Sequence, residues 1–98
     1  MVHVIIRHKV SDYGKWKESF DAYLNTRLAA GETGFRVFQS AEDPRDVVVL
    51  LDWDSFDNAR RFMGSAELRS RMQNAGVLGE AEIQYVQDAR AVRRTAAD

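Results

Sequence analysis

Proton transfer near neutral pH is most simply done by an imidazole, and this chain has two, His3 and His8. His3 falls on the same strand parity as Arg7. A His and an Arg together on an otherwise apolar face could take a proton and steady the anion left behind. Trp53 closes the most apolar run of the chain and offers a flat wall to a planar ligand. Arg69, in Ser65-Ala66-Glu67-Leu68-Arg69, offers a cation to a ligand oxygen. Each has a plain structural reading beside it. Trp53 suits a core or an interface, and Arg69 suits a solvated helix surface with Arg60, Arg61 and Arg71. His3 and Arg7 suit a rim, and His8 suits a hydrogen bond to Asp12 or to a helix end. Asp52, Asp54 and Asp57, with Asn58, have the oxygen density a hard cation wants. They also straddle a strand end and a helix start, where capping and dipole effects account for them, so no metal is expected.

Other chemistries are excluded by what is missing. There is no cysteine, hence no disulfide, no thiolate nucleophile and no thiolate metal site. No glycine-rich cradle marks a nucleotide site, and no Ser-His-Asp set can be assembled from two histidines on one strand. A formal net charge of -1 and an isoelectric point near 6.1 give no general pull toward nucleic acid or an anionic membrane. Ninety-eight residues, 45% hydrophobic and 30% charged, describe one small water-soluble domain. No apolar run is long enough for a signal peptide or a membrane span, and a cytoplasmic location is expected.

The elements that must position these residues follow from periodicity. Residues 2–10 read as a strand with Val2, Val4, Ile6 and Val10 on one parity and His3, Ile5, Arg7 and Lys9 on the other. Ser11 or Asp12 caps a helix reaching about Ala30, with Tyr13, Trp16, Phe20, Tyr23, Leu24 and Leu28 as its apolar face and Gly31 after its end. Residues 34–40 form a second strand, and the polar turn holding Pro44 leads back into a third, 47–53. That run, Val47-Val48-Val49-Leu50-Leu51, is too short to span a membrane and too β-branched for a good helix. It reads as a strand buried on both faces. Asp54 or Ser55 caps a second helix carrying Phe56, Ala59, Phe62 and Met63. Gly64-Ser65 interrupts it before Leu68 and Met72, and residues 82–87 make the last strand. Residues 1–87 form the domain and 88–98 a frayed polar tail.

The order β-α-β-β-α-β with right-handed crossovers predicts an α+β, ferredoxin-like sandwich: a four-stranded antiparallel sheet with both helices on one face. An apolar second face then needs cover, and a second copy of the chain is the simplest cover. A homodimer closed through the sheet faces, with a cavity in each half, is expected. Aspartate at Val49, on the face so assigned, is expected to split the dimer and unfold the chain.

The strand ending in Leu50-Leu51-Asp52-Trp53, the following Asp54-Ser55, and Ser65-Ala66-Glu67-Leu68-Arg69 resemble the dimeric α+β barrel superfamily, close to the antibiotic biosynthesis monooxygenase-like group. Arg7-His8-Lys9-Val10, Asp12-Tyr13 and Trp16-Lys17 are similar to a subgroup of it that is uncharacterised. The resemblance spans about residues 2–87. It implies a homodimer and, for members that oxidise aromatic polyketides, a reaction needing no cofactor, served by an Asn, a Trp, a Tyr and an Arg. The Trp matches Trp53, and the Arg matches Arg69 across a short gap. The Asn and Tyr positions hold Val49 and Ala59. The haem-degrading branch would need an Asn, a Trp and a His where this chain has Arg7, Phe62 and Met72, so haem degradation is not expected.

The expectation is a domain that binds a small apolar or aromatic molecule next to Trp53. If it is an enzyme, it is a cofactor-independent monooxygenase or cyclase in which Arg69 or Arg7 steadies an enolate and His3 acts as base. A non-catalytic stress-related or structural module of the same fold is the alternative. An RNA-binding domain of the same strand order would use Phe35, Phe38 and Tyr85 as stacking platforms, and the net charge weighs against it.

Overall fold

A computed structural model describes residues 1–92. Its elements are β1 (Val2–Val10), α1 (Tyr13–Ala22), α2 (Leu24–Ala30), β2 (Glu32–Gln39), β3 (Asp46–Trp53), α3 (Phe56–Met63), α4 (Ala66–Asn74) and β4 (Val77–Gln87). All strand pairs are antiparallel, and the sheet runs β2-β3-β1-β4. The fold is α+β and ferredoxin-like, with the helices on one face. The expected order holds; the expected single helix to Ala30 is two, and the last strand begins five residues earlier than residue 82. Of the expected tail, residues 93–98 lie outside the described residues.

Helix starts are set by side-chain oxygens. Asp12 accepts from the Lys15 N–H at 3.3 Å, Ser55 from Asn58 at 3.1 Å and Ser65 from Leu68 at 3.2 Å. The break between α1 and α2 at Tyr23 has neither glycine nor proline. Instead Arg27 Nη1 donates to the Phe20 carbonyl at 2.6 Å, taking an acceptor that the helical ladder would otherwise use. Gly31 ends α2 at φ 121°, and a Cβ there would meet the Asp54 carboxylate at 2.6 Å. Any other residue would be strained at this positive φ and would have to turn the Asp54 side chain aside.

Alternation divides the sheet cleanly. Val4, Ile6, His8 and Val10 of β1 and Val47, Val49, Leu51 and Trp53 of β3 are buried beneath the helices. His3, Ile5, Arg7, Lys9, Val48, Leu50 and Asp52 take the open face. The β3 run is thus fully buried on one face and half-buried on the other. Val49 belongs to the helix side, which corrects the face assigned to it from sequence; Val48 and Leu50 face outward. The β4 pairing slips next to His8, where Arg7 opposes Glu82 but Lys9 opposes Leu78. Among the described residues no helix is long and apolar enough to cross a membrane.

The two faces should answer differently to the same insult. Val49→Asp buries a charge under the helices and should cost about 4 kcal/mol or more. Leu50→Asp sits on the open face and should leave the chain folded. Circular dichroism melts should show a lost or much lowered transition for the first only.

Candidate functional site

The helices leave a cavity of about 60 Å³ above the helix-side face of the sheet. Ile6, His8, Val49 and Leu51 form its floor, Trp16, Phe20, Tyr23 and Arg27 one wall, and Phe62, Leu68, Arg71 and Met72 another. Two aromatic pairs line it: Trp16 stacks on Phe20 at 4.9 Å between centroids, and Tyr23 meets Phe62 at 5.8 Å. Tyr23 and Phe62 also line a wider outer depression with Asp54, Asn58, Arg61 and Glu67. These two rings therefore stand between the cavity and the surface.

Polar groups in the cavity are few and poorly partnered. His8 is 5% exposed, and neither ring nitrogen has a hydrogen-bond partner among the described residues. Neither Asp12 nor a helix end, the partners expected from sequence, makes a hydrogen bond to it. It packs instead on Trp16, at 5.5 Å between ring centroids. Burial pushes its pKa down from 6.5 to about 4, against a weak upward pull from Asp46. His8 is therefore a neutral imidazole at physiological pH. Arg27 is buried with Glu32, Nε to Oε1 at 2.8 Å, and its guanidinium lies 3.7 Å from the Phe20 centroid. Burial raises the Glu32 pKa, and Arg27 opposes that rise. The Arg71 guanidinium lies 4.2 Å from the Tyr23 centroid.

The residues singled out from sequence lie elsewhere. His3 is on the open face, Nδ1 to Asp52 Oδ1 at 2.6 Å and Nε2 to Asp88 Oδ1 at 2.6 Å. Partial burial would lower its pKa, but the carboxylates of Asp88 and Asp52 outweigh that and hold it above 6.5. This ties residue 88 back to β1. The clamp is complete below the ordinary histidine value and fades as pH rises through the raised one. Arg7 is exposed and paired with Asp46, Nη2 to Oδ2 at 2.9 Å. Arg69 is exposed on α4. Trp53 is 1% exposed and backs the cavity through Phe62, at 5.3 Å, without lining it.

None of the acidic residues at the end of β3 is arranged for a cation. Asp52 holds His3, and Asp54 accepts from Asn58. No group of three or more potential ligands is gathered among the described residues. Phe35 and Tyr85 share the helix-side parity while Phe38 takes the open one, so the three aromatics of the RNA-binding alternative do not form one platform. The cavity residues passed over in the sequence are Arg27 and Arg71. Arg27 continues the stripe Trp16, Phe20, Tyr23 at helical spacing, which is the signal that it faces inward.

His8 gives the cavity an acid-sensitive floor. The unfolded chain takes up this proton near pH 6.5 and the folded chain only near pH 4. Its contribution to stability is full above the first value and is lost as pH falls through that window, up to about 3 kcal/mol. A His8→Phe protein should therefore lose less stability than the wild type between those values, as read by denaturant unfolding. The His8 carbon-bound ring protons should titrate near pH 4 by NMR.

No protein-family model matches the chain, and no curated protein matches it. Solved structures do. A Bordetella bronchiseptica protein provisionally named an antibiotic biosynthesis monooxygenase is 17% identical, with a TM-score of 0.77 over 91% of this chain and 97% of that one. SnoaB from Streptomyces nogalater, a cofactor-independent oxygenase, is 12% identical at a TM-score of 0.76, over 95% and 97% of the two chains. A Streptomyces coelicolor monooxygenase in complex with the ligand nanaomycin D is 16% identical at 0.70, over 96% and 92%. At such identities the likeness is one of architecture: this chain has the fold of the antibiotic biosynthesis monooxygenase-like proteins.

Proposed function

We propose that the cavity binds a small aromatic molecule and that the chain oxidises it with molecular oxygen without a cofactor. The observation that carries this reading is a neutral, unpartnered imidazole set in an aromatic-lined cavity. The cavity, about 60 Å³ and open on one side, takes in the leading part of an aromatic molecule, since a void that holds a whole benzene ring is roughly 150 Å³. His8 takes the hydroxyl proton of an electron-rich phenol, and the positive charge of Arg71 in the same lining favours the phenolate. Burial makes His8 a weak base, and the anion formed beside it restores its affinity for the proton. The phenolate gives electrons to oxygen. One oxygen atom bonds to the ring carbon opposite the hydroxyl. The other leaves as water with two hydrogens, one from that carbon and one from the hydroxyl, and the product is a quinone. SnoaB, an oxygenase that needs no cofactor, and the nanaomycin D complex support the reading by analogy of fold. In it Trp53 braces Phe62 from behind, while His3, Arg7 and Arg69 lie outside the cavity and take no part.

Oxygen consumption with ortho-methoxyphenol tests this. The wild type should convert it to the methoxyquinone, and a folded His8→Phe protein should lose about a hundredfold in kcat, the usual worth of a general base. Equal rates in both would remove His8 from the chemistry. No turnover by the wild type, with binding intact, would favour a non-catalytic binding module of the same fold.

We further propose that two copies pack through the open sheet face. Ile5, Val48, Leu50 and Val86 are only partly covered there, and Phe38 is 42% exposed beside them. Native mass spectrometry should give twice 11.2 kDa for the wild type and a folded monomer for Leu50→Asp. A wild-type monomer would overturn the dimer.

A further inference from the structure

Two guanidinium nitrogens on cavity-lining residues are buried without an acceptor among the described residues, and the Glu32 Oε2 oxygen beside one of them is buried without a donor. Arg27 is 2% exposed; its Nε serves Glu32 and its Nη1 the Phe20 carbonyl, yet its Nη2 has no acceptor among the described residues. The Nε of Arg71 is also buried without a partner among them. Both side chains line the same small space. The charges are unequal too. Glu32 answers Arg27, while no carboxylate among the described residues pairs with Arg71. A buried guanidinium N–H left unbonded is costly, and the groups that best relieve it are carboxylate oxygens, which only accept. Around these donors the walls are apolar and flat: Trp16, Phe20 and Phe62. His8 supplies a neutral imidazole.

We propose that the cavity's ligand is an aromatic carboxylate, its oxygens accepting from Arg71 Nε and Arg27 Nη2 and its ring lying among Trp16, Phe20 and Phe62. This rests on the reading of the cavity as the binding site and adds the charge and the anchor. A substrate of this class carries its carboxylate as a handle, separate from the hydroxyl that reacts. The two guanidinium donors and the aromatic rings bound the same small volume, so anchor and walls act on one ligand. Phosphate or another compact inorganic anion would satisfy the donors and leave the aromatic walls dry and unfilled.

Calorimetric titration of the full chain with benzoate, benzamide and inorganic phosphate decides it. Benzoate and benzamide share a shape and differ in charge. Benzoate should bind at least about tenfold more tightly than benzamide, as expected when a charge-assisted hydrogen bond replaces a neutral one. Phosphate should not compete. Arg71→Gln should abolish the preference for benzoate, and Arg71→Lys, which keeps the charge, should retain part of it. The wild-type comparison stands even if a variant fails to fold. Benzamide binding as tightly as benzoate would overturn the carboxylate and leave the cavity as a binding site for neutral rings. Phosphate displacing benzoate would overturn the aromatic class. Failure of both ring compounds to bind would overturn this inference and the cavity's proposed role together.

Discussion

Val47, Val49, Leu51 and Trp53 leave β3 on one face, and each is at most 2% exposed. Burying such a row is the largest favourable term a small domain has, at roughly 25 cal/mol per Å² of apolar surface removed from water. The helices cannot supply it alone. They are seven to ten residues long, below the length at which an isolated helix is stable in water. They hold because their apolar residues close over β3 and β1, and everything that shapes the cavity follows from how they close. Four short helices with two interruptions leave a gap that two long rigid ones would leave less readily.

What fills the rim of that gap is not there for stability. A buried Arg27–Glu32 pair seldom outperforms a hydrophobic pair of equal volume, and the orphaned nitrogens of His8, Arg27 and Arg71 all carry desolvation costs. Arg27 recovers part of its cost by stacking on Phe20 and bonding its carbonyl. That same bond breaks the helix at Tyr23. One side chain thus sets both the polarity of the cavity and the bend of its wall.

The fold was legible because its signals are local and redundant: alternation in β1 and β3, three side-chain caps, and a proline turn between β2 and β3. Strand parity placed His3 and Arg7 on the open face correctly as geometry, yet it placed Val49 there as well. An unbroken apolar run offers no polar residue from which to count, and the parity of Asp52, which shares the open face with His3, was the clue passed over. The cavity was harder to see. Its polar members come from β1, α1, α2 and α4, and their meeting depends on the helix break, which no glycine or proline announces. Charge also misled, since Arg27 reads as a surface residue until its register with Trp16, Phe20 and Tyr23 is counted.

The slip in β4 opposite His8 displaces the pairing by two residues, from Arg7 with Glu82 to Lys9 with Leu78. Gly79, at φ 68°, turns within it. Because side chains alternate with a period of two, a displacement of two leaves every side chain on its own face: Val77 stays with Val10 under the helices, and Leu78 stays outside. This segment can therefore change length only in steps of two. Loss of Gly79 and Glu80 together would straighten the edge and bring β4 into continuous register beside the buried imidazole. Loss of either alone would exchange the inside and the outside of the strand's first half. The edge next to the cavity is in this sense a counted interval, adjustable in pairs and intolerant of one.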